Sequence, residues 1–164
     1  MPTTKKERRL AAVMFTDIVG YTALMQTDER KAAAQREMHR QIFTATHTKH
    51  RGEILQYFGD GTLSTFASGV EAVACAVAIQ QTLNGPDGIP LRIGIHTGDI
   101  VFDGTEIYGD GVNLAARIES MGVAGGVLIS GKLNDELSNQ QHLSTTALGH
   151  FQLKNVARPL AVFA

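Results

Sequence analysis

Apolar positions fall along this chain in two rhythms. From Leu10 to Thr16 they run almost unbroken, which predicts a first strand buried on both faces. Ile18 to Met25 can form a short helix. Thr27, with Asp28 and Glu29 behind it, predicts an N-cap and acids in the first turn of a second helix. Met38, Ile42, Phe43 and Ala45 recur at helical spacing, and that helix should end near Gly52. Glu53–Phe58 and Thr62–Phe66 read as strands joined by a tight Gly59-Asp60-Gly61 hairpin. Ser68-Gly69-Val70-Glu71 is a capping box, and Val73, Ala74, Val77 and Ala78 form the apolar face of a helix to about Leu83. After a loop to Pro90, Leu91, Ile93 and Ile95 alternate in a strand expected to turn back through Thr97-Gly98 or Asp103-Gly104. A helix over Val112–Met121, a strand over Val127–Ile129, a helix over Lys132–Leu137, and strands near Thr145–Leu153 and Leu160–Phe163 complete the pattern. Helices alternating with strands and hairpins predict an α/β sandwich on a mixed sheet.

Composition narrows this picture. The 164 residues suit one domain with a full core, of ordinary 43% hydrophobic and 19% charged content. Residues 1–8, within the polar stretch Pro2 to Arg9, are expected as a flexible leader to a domain spanning 9–164. A net charge of −1 gives no basic field for nucleic acid or a membrane surface. The single cysteine, Cys75, excludes an intramolecular disulfide and suits a reducing, cytoplasmic setting. No apolar run approaches the ~20 residues of a membrane span. A longer parent chain could carry sensor or membrane domains.

Two acids stand where chemistry could occur. Asp17 closes the first strand beside Gly20, and Asp60 sits in the Gly-flanked hairpin. Each has an ordinary reading, as helix cap or turn residue. Brought together, they are hard oxygen ligands for Mg²⁺ or Mn²⁺. Asn113 and Arg117 lie four apart on one face of an otherwise apolar helix, which suits a planar anionic partner for the guanidinium or a solvated face. Lys154 falls in a polar break between strands. His39, His47 and His50 include an i, i+3 pair that could bind zinc but lacks a third ligand; solvated helix positions are the simpler reading. Cys75 reads as a core residue.

Four blocks in order give these residues a context. They are Phe15-Thr16-Asp17-Ile18-Val19-Gly20-Tyr21-Thr22, Phe58-Gly59-Asp60-Gly61, Ile93-Gly94-Ile95-His96-Thr97-Gly98, and Tyr108 through Arg117 (YGDGVNLAAR). Together they resemble the class III adenylate/guanylate cyclase catalytic domain over nearly the whole chain. The resemblance implies a ferredoxin-like βαββαβ core with a mixed, mainly antiparallel sheet and C-terminal additions. It implies a head-to-tail homodimer with two shared sites, a nucleoside triphosphate substrate, and a role in intracellular signalling, with regulatory domains in a parent chain.

By the same resemblance, Asp17, Asp60 and the Ile18 carbonyl would hold two Mg²⁺ or Mn²⁺ ions, and the amides of Val19, Gly20 and Tyr21 would cradle phosphate. Asn113 would orient the ribose and Arg117 would neutralise charge at the α-phosphorus, both from the second chain. Lys154 would meet the terminal phosphates, although Asn155 replaces the glycine that often follows. Gln56 and Glu106 occupy the base-reading positions and are expected to meet across the dimer interface. This pair matches neither the usual adenylate nor the usual guanylate set and can satisfy either purine, so a weak ATP preference, below ~100-fold, is expected. Two other readings remain open. One is a degenerate cyclase domain that binds nucleotide or a partner without turnover; the other is a ferredoxin-like module acting only in dimerisation or signalling.

Overall fold

Backbone pairing rather than apolar content sets the length of the first strand. β1 (Lys6–Ile18) begins four residues before the apolar run, because Lys6 to Arg9 pair with Asp103 to Ile100. The expected leader is therefore partly strand. Glu7, Arg8 and Arg9 are exposed, and the Arg9 guanidinium lies 3.9 Å from the Phe102 ring centroid. This computed structural model describes residues 6–103, 106–140, 143, 145, 147–151 and 160–163.

β1 also runs further than expected, to Ile18, and Gly20 turns the chain at φ 76° into α1 (Tyr21–Thr27). Thr27 does not cap the next helix. It ends α1, its hydroxyl donating to the Ala23 carbonyl at 3.0 Å. Asp28 caps α2 (Glu29–Lys49) by accepting from the Lys31 amide at 3.1 Å. A carboxylate one residue on does the capping task as well as a hydroxyl would.

The buried stripe of α2 is Ala32, His39, Phe43 and His47, while Ala45 is exposed. His39 and His47 are thus neither solvated nor zinc ligands. His39 stacks on Phe43 with ring centroids 3.9 Å apart. His47 Nδ1 donates to the Phe43 carbonyl at 2.8 Å, and its Nε2 accepts from the Ser64 hydroxyl at 2.9 Å. Burial drives the His39 ring down to about 4 and lowers His47, so both are neutral at pH 7. His50 lies apart from them, 3.4 Å from Glu71.

β2 (Glu53–Phe58) and β3 (Gly61–Phe66) form the expected hairpin. Ser68 caps α3 (Gly69–Leu83), which buries Ala72, Cys75, Ala76 and Ile79. β4 (Leu91–Asp103) is one long strand. It does not turn at Thr97-Gly98, because Gly98 and Thr97 stay paired with Ala11 and Ala12. The chain turns back after Asp103, the second of the two expected places, into the short β5 (Glu106–Tyr108). Then follow α4 (Asp110–Ser120), β6 (Val127–Ser130), α5 (Gly131–Glu136), β7 (Ala147–Phe151) and β8 (Leu160–Phe163).

Among the described residues the strands make one sheet in the order β2-β3-β1-β4-β6-β8-β7, with β5 on the end of β4. Its first four strands are antiparallel neighbours in the order 2-3-1-4, the ferredoxin-like βαββαβ arrangement; β6 joins β4 in parallel. The helices α1, α2, α3 and α5 close one face over a large core that includes Met14, Phe43, Ile79 and Ile95. The opposite face carries a smaller cluster of Ala11, Val13, Leu63, Ile100 and Ala115, covered by α4.

Candidate active site

Alternation along β1 sends Met14 and Ile18 to the closed face and Val13 and Asp17 to the other. The register then does two things. It sets Thr16 opposite Thr62, which brings the β2–β3 turn and Asp60 beside the end of β1. It also sets Asp17 directly opposite Arg92 on β4. Asp17, Asp60, Arg92 and the segment Ile18 to Ala23 line one open cavity of about 550 Å³, closed on its far side by Gly122 to Ala124.

Arg92 holds Asp17 with both ends of its fork. Its Nε donates to Oδ1 at 2.9 Å and its Nη2 donates to Oδ2, while Nη1 reaches the Ser120 carbonyl at 3.4 Å. Glu119, at the C-terminal end of α4, stands behind this pair with its Oε1 3.8 Å from Arg92 Nε. Burial raises the Asp17 carboxyl, but bonds from Arg92 and Glu119 and the guanidinium charge outweigh it, so Asp17 lies below its ordinary value. Glu119 moves the other way. Burial and the adjoining Asp17 carboxylate push it up to about 8. Arg92, bonded to Asp17, is raised. Arg92 and Glu119 are site residues that sequence reasoning missed. Their only signal was a strand register that brings Arg92 opposite Asp17.

The two carboxylates fit a divalent cation. They are oxygen donors on an open cavity, where Mg²⁺ or Mn²⁺ could keep part of its water shell. The described residues contain no cluster of three or more His, Cys, Asp or Glu arranged as ligands, so the protein supplies only part of a coordination sphere. Of the three amides expected to cradle phosphate, that of Val19 is already committed, donating to the Pro90 carbonyl at 2.8 Å. Gly20 and Tyr21 line the cavity without that constraint.

Asn113 and Arg117 lie elsewhere. They project from α4 on the side away from its buried Ala115 and Ile118; Asn113 is exposed and Arg117 half-buried. Neither lines the Asp17–Asp60 cavity. In one chain the acids and the Asn–Arg pair therefore lie apart.

α4 is seated on glycine. A Cβ on Gly94 would overlap the Glu119 backbone, and one on Gly111 would come 2.9 Å from the Asp99 carbonyl. Beside α4 the same sheet face stays open. A second cavity of about 480 Å³ has Phe15, Phe58, Leu63, Phe102 and Ile107 as its floor and Gln56 and Glu106 on its wall. Phe58 is 43% exposed there. Gln56 reaches this wall through a β-bulge: the β2–β3 register slips between Ile54 and Gln56, so Leu55 and Gln56 both belong to the open face. Gln56 and Glu106 thus line the same cleft of one chain, where the expectation had them meet across the dimer interface. The hairpin β2–β3 and strand β5 border the same cleft. Lys154 lies outside the described residues.

Comparison with known proteins agrees with this architecture. The family described as "Adenylate and Guanylate cyclase catalytic domain" matches residues 3–163. A protein of Rhizobium meliloti (strain 1021) named "Putative adenylate cyclase 3" is 34% identical over 164 residues, covering 95% of this chain and 28% of that protein. The chain thus spans less than a third of that relative. The crystal structure of an "Adenylate/Guanylate Cyclase/Hydrolase" from Silicibacter pomeroyi superposes with a TM-score of 0.88 at 32% identity, covering 97% of each chain. That of the adenylyl cyclase CyaB from P. aeruginosa, at 22% identity, gives a TM-score of 0.86 over 97% of this chain and 94% of that one, a likeness of fold.

Proposed function

The chain belongs to the adenylate and guanylate cyclase catalytic domain family, and from that premise we propose that it converts a nucleoside triphosphate to its 3′,5′-cyclic monophosphate and diphosphate, as a head-to-tail homodimer. The observation that carries this reading is the division of the site. Asp17 and Asp60 share one cavity, while Asn113 and Arg117 project elsewhere from α4. A second copy would bring the missing pair to each cavity and cover the apolar cleft around Phe15 and Phe58.

Asp17, Asp60 and the Ile18 carbonyl would hold two Mg²⁺ or Mn²⁺ ions. Bound there, the metal supplies Lewis-acid chemistry, lowering the pKa of the ribose 3′-hydroxyl and neutralising the polyphosphate. Gly20 and Tyr21 would orient phosphate from the start of α1, and Lys154 would meet its terminal end. Asn113 would align the ribose. Arg117 would offer a fixed positive fork to the charge that builds on the α-phosphoryl oxygens during in-line attack.

Gln56 and Glu106 would read the base from one wall of the apolar cleft. Glu106 can accept from the adenine amino group or from the guanine N1 and N2 donors, and the Gln56 amide can donate to the acceptor on either edge. The expected outcome is therefore an ATP preference below ~100-fold, or about 2.7 kcal/mol. The test is product analysis with ATP and GTP in Mn²⁺ and in Mg²⁺. It is run on the chain, on Asp60→Ala, on Arg117→Ala and on a mixture of the two variants. The variants should be inactive alone, and the mixture should regain activity because a heterodimer keeps one complete site. Heterodimers that form and stay inactive would rule out the shared site.

A further inference from the structure

Arg92 sits in an arrangement that the proposed chemistry does not use. Both oxygens of Asp17 already accept from its guanidinium, so the carboxylate is electrostatically occupied by a cation the protein carries itself. A divalent ion approaching Asp17 meets that positive charge first. Arg92 is fixed to β4 and its side chain is partly enclosed, so it has few places to retreat. One is prepared. Glu119 is 8% exposed, its Oε1 is buried without a hydrogen-bond partner, and that oxygen lies 3.8 Å from Arg92 Nε. The Ser120 carbonyl next to it already accepts from Nη1 at 3.4 Å.

An unpartnered buried carboxyl oxygen is costly, and a short swing of the guanidinium would satisfy it. Gly94 makes this possible. Its missing side chain lets the Glu119 backbone lie against β4, two residues from Arg92.

We propose that Glu119 is a positioning residue of the cation site: it takes the Arg92 guanidinium from Asp17 when a divalent cation binds there, and so sets the affinity of that site for metal. The inference rests on Asp17 being a cation ligand. Removing Glu119 leaves Arg92 only the Ser120 carbonyl besides Asp17 and strengthens its competition for Asp17. Removing Arg92 abolishes the competition and makes Glu119 irrelevant to it.

A double-mutant cycle on the nucleotide-free chain separates these effects, with Mn²⁺ alone as the probe and free Mn²⁺ read by electron paramagnetic resonance. Glu119→Gln should weaken Mn²⁺ binding about fivefold, and Arg92→Gln should tighten it by a similar factor, the net scale of one ordinary hydrogen bond. In the Arg92→Gln background, Glu119→Gln should change the affinity by less than about twofold. Urea midpoints confirm that each variant is folded, and Glu119→Asp, which withdraws the carboxylate by one methylene, serves the same cycle if Glu119→Gln does not fold. An unchanged affinity in Glu119→Gln overturns the proposal. So does a fivefold loss that persists without Arg92, because Glu119 would then act on the cation directly. Failure of the wild-type chain to bind Mn²⁺ at all, with Asp17→Ala likewise indifferent, removes the metal reading itself and this inference with it.

Discussion

The two faces of the sheet solve different problems. The face under α2 and α3 is finished. Met14, Phe43, Ile79, Ile93 and Ile95 have no exposed surface, and the histidines within it are neutral and stacked. The face under α4 is unfinished. A single helix covers its β4 side, Phe58 remains 43% exposed over the rest, and its edge holds an arginine between two carboxyl groups. A face that completes its own packing gains stability from every residue. A face that leaves apolar surface and charge unpaired keeps them for something that binds.

That contrast can be broken from either side. The largest effect is expected at the acids. Asp60→Asn should lower turnover by ~10³-fold or more, about 4 kcal/mol of barrier, with an unchanged urea midpoint, since it removes one charge from an open turn. A comparable loss of stability would mean that Asp60 is structural. On the closed face the signs reverse. Phe43→Ala should cost ~3–5 kcal/mol of stability, because it empties a site with no exposed surface between two rings. A loss under ~1 kcal/mol would show that the helix face is looser than it looks.

Gly94→Ala probes the boundary between the two. Its Cβ would meet the Glu119 backbone, so α4 must shift, at ~1–3 kcal/mol of stability. Turnover should fall by a larger factor than stability explains, because Asn113 and Arg117 travel with the helix. Activity that simply tracks the folded fraction would separate the helix position from catalysis.

The smallest effect lies in pH. His39 and His96, held near 4 by burial, refuse protons that the unfolded chain accepts, so stability should decline as pH falls from about 6.5 to 4. Glu119, pushed up to about 8, keeps a proton the unfolded chain releases, so its contribution is complete below about 4.5 and declines as pH rises through 8. Glu119→Gln should remove the decline above about pH 4.5 that Glu119 causes and leave the profile below about 4.5 as it was. Parallel wild-type and variant profiles of urea midpoint against pH would contradict the assignment.

Sequence reading recovered most of what is written locally, the Thr27 cap excepted. The Gly59-Asp60-Gly61 hairpin, the Ser68 cap and the helices α3 and α4 follow from short-range rules, and the ordered motifs gave the family. It failed where pairing decides. Lys6 to Arg9 look like a tail and become strand because β4 is long enough to pair with them. His39 and His47 look polar and become core because aromatic neighbours and a buried hydroxyl accept them. Gln56 escaped simple alternation because a bulge adds one residue to the cleft side of β2. Arg92 carries no local sign of its place opposite Asp17; that position depends on strand register across 75 residues of separation.

The glycine seat of α4 has a mechanical meaning. Helices usually rest on a sheet through side chains, which absorb a small displacement by changing rotamer. Backbone against backbone has no such spring. Where Gly94 and Gly111 bring α4 against β4, a push on the helix cannot be dissipated locally and passes into the strand that carries Arg92. With no side chain between them to give way, a displacement of α4 at its Asn113 end must be matched by β4 or by the Glu119 end of the helix.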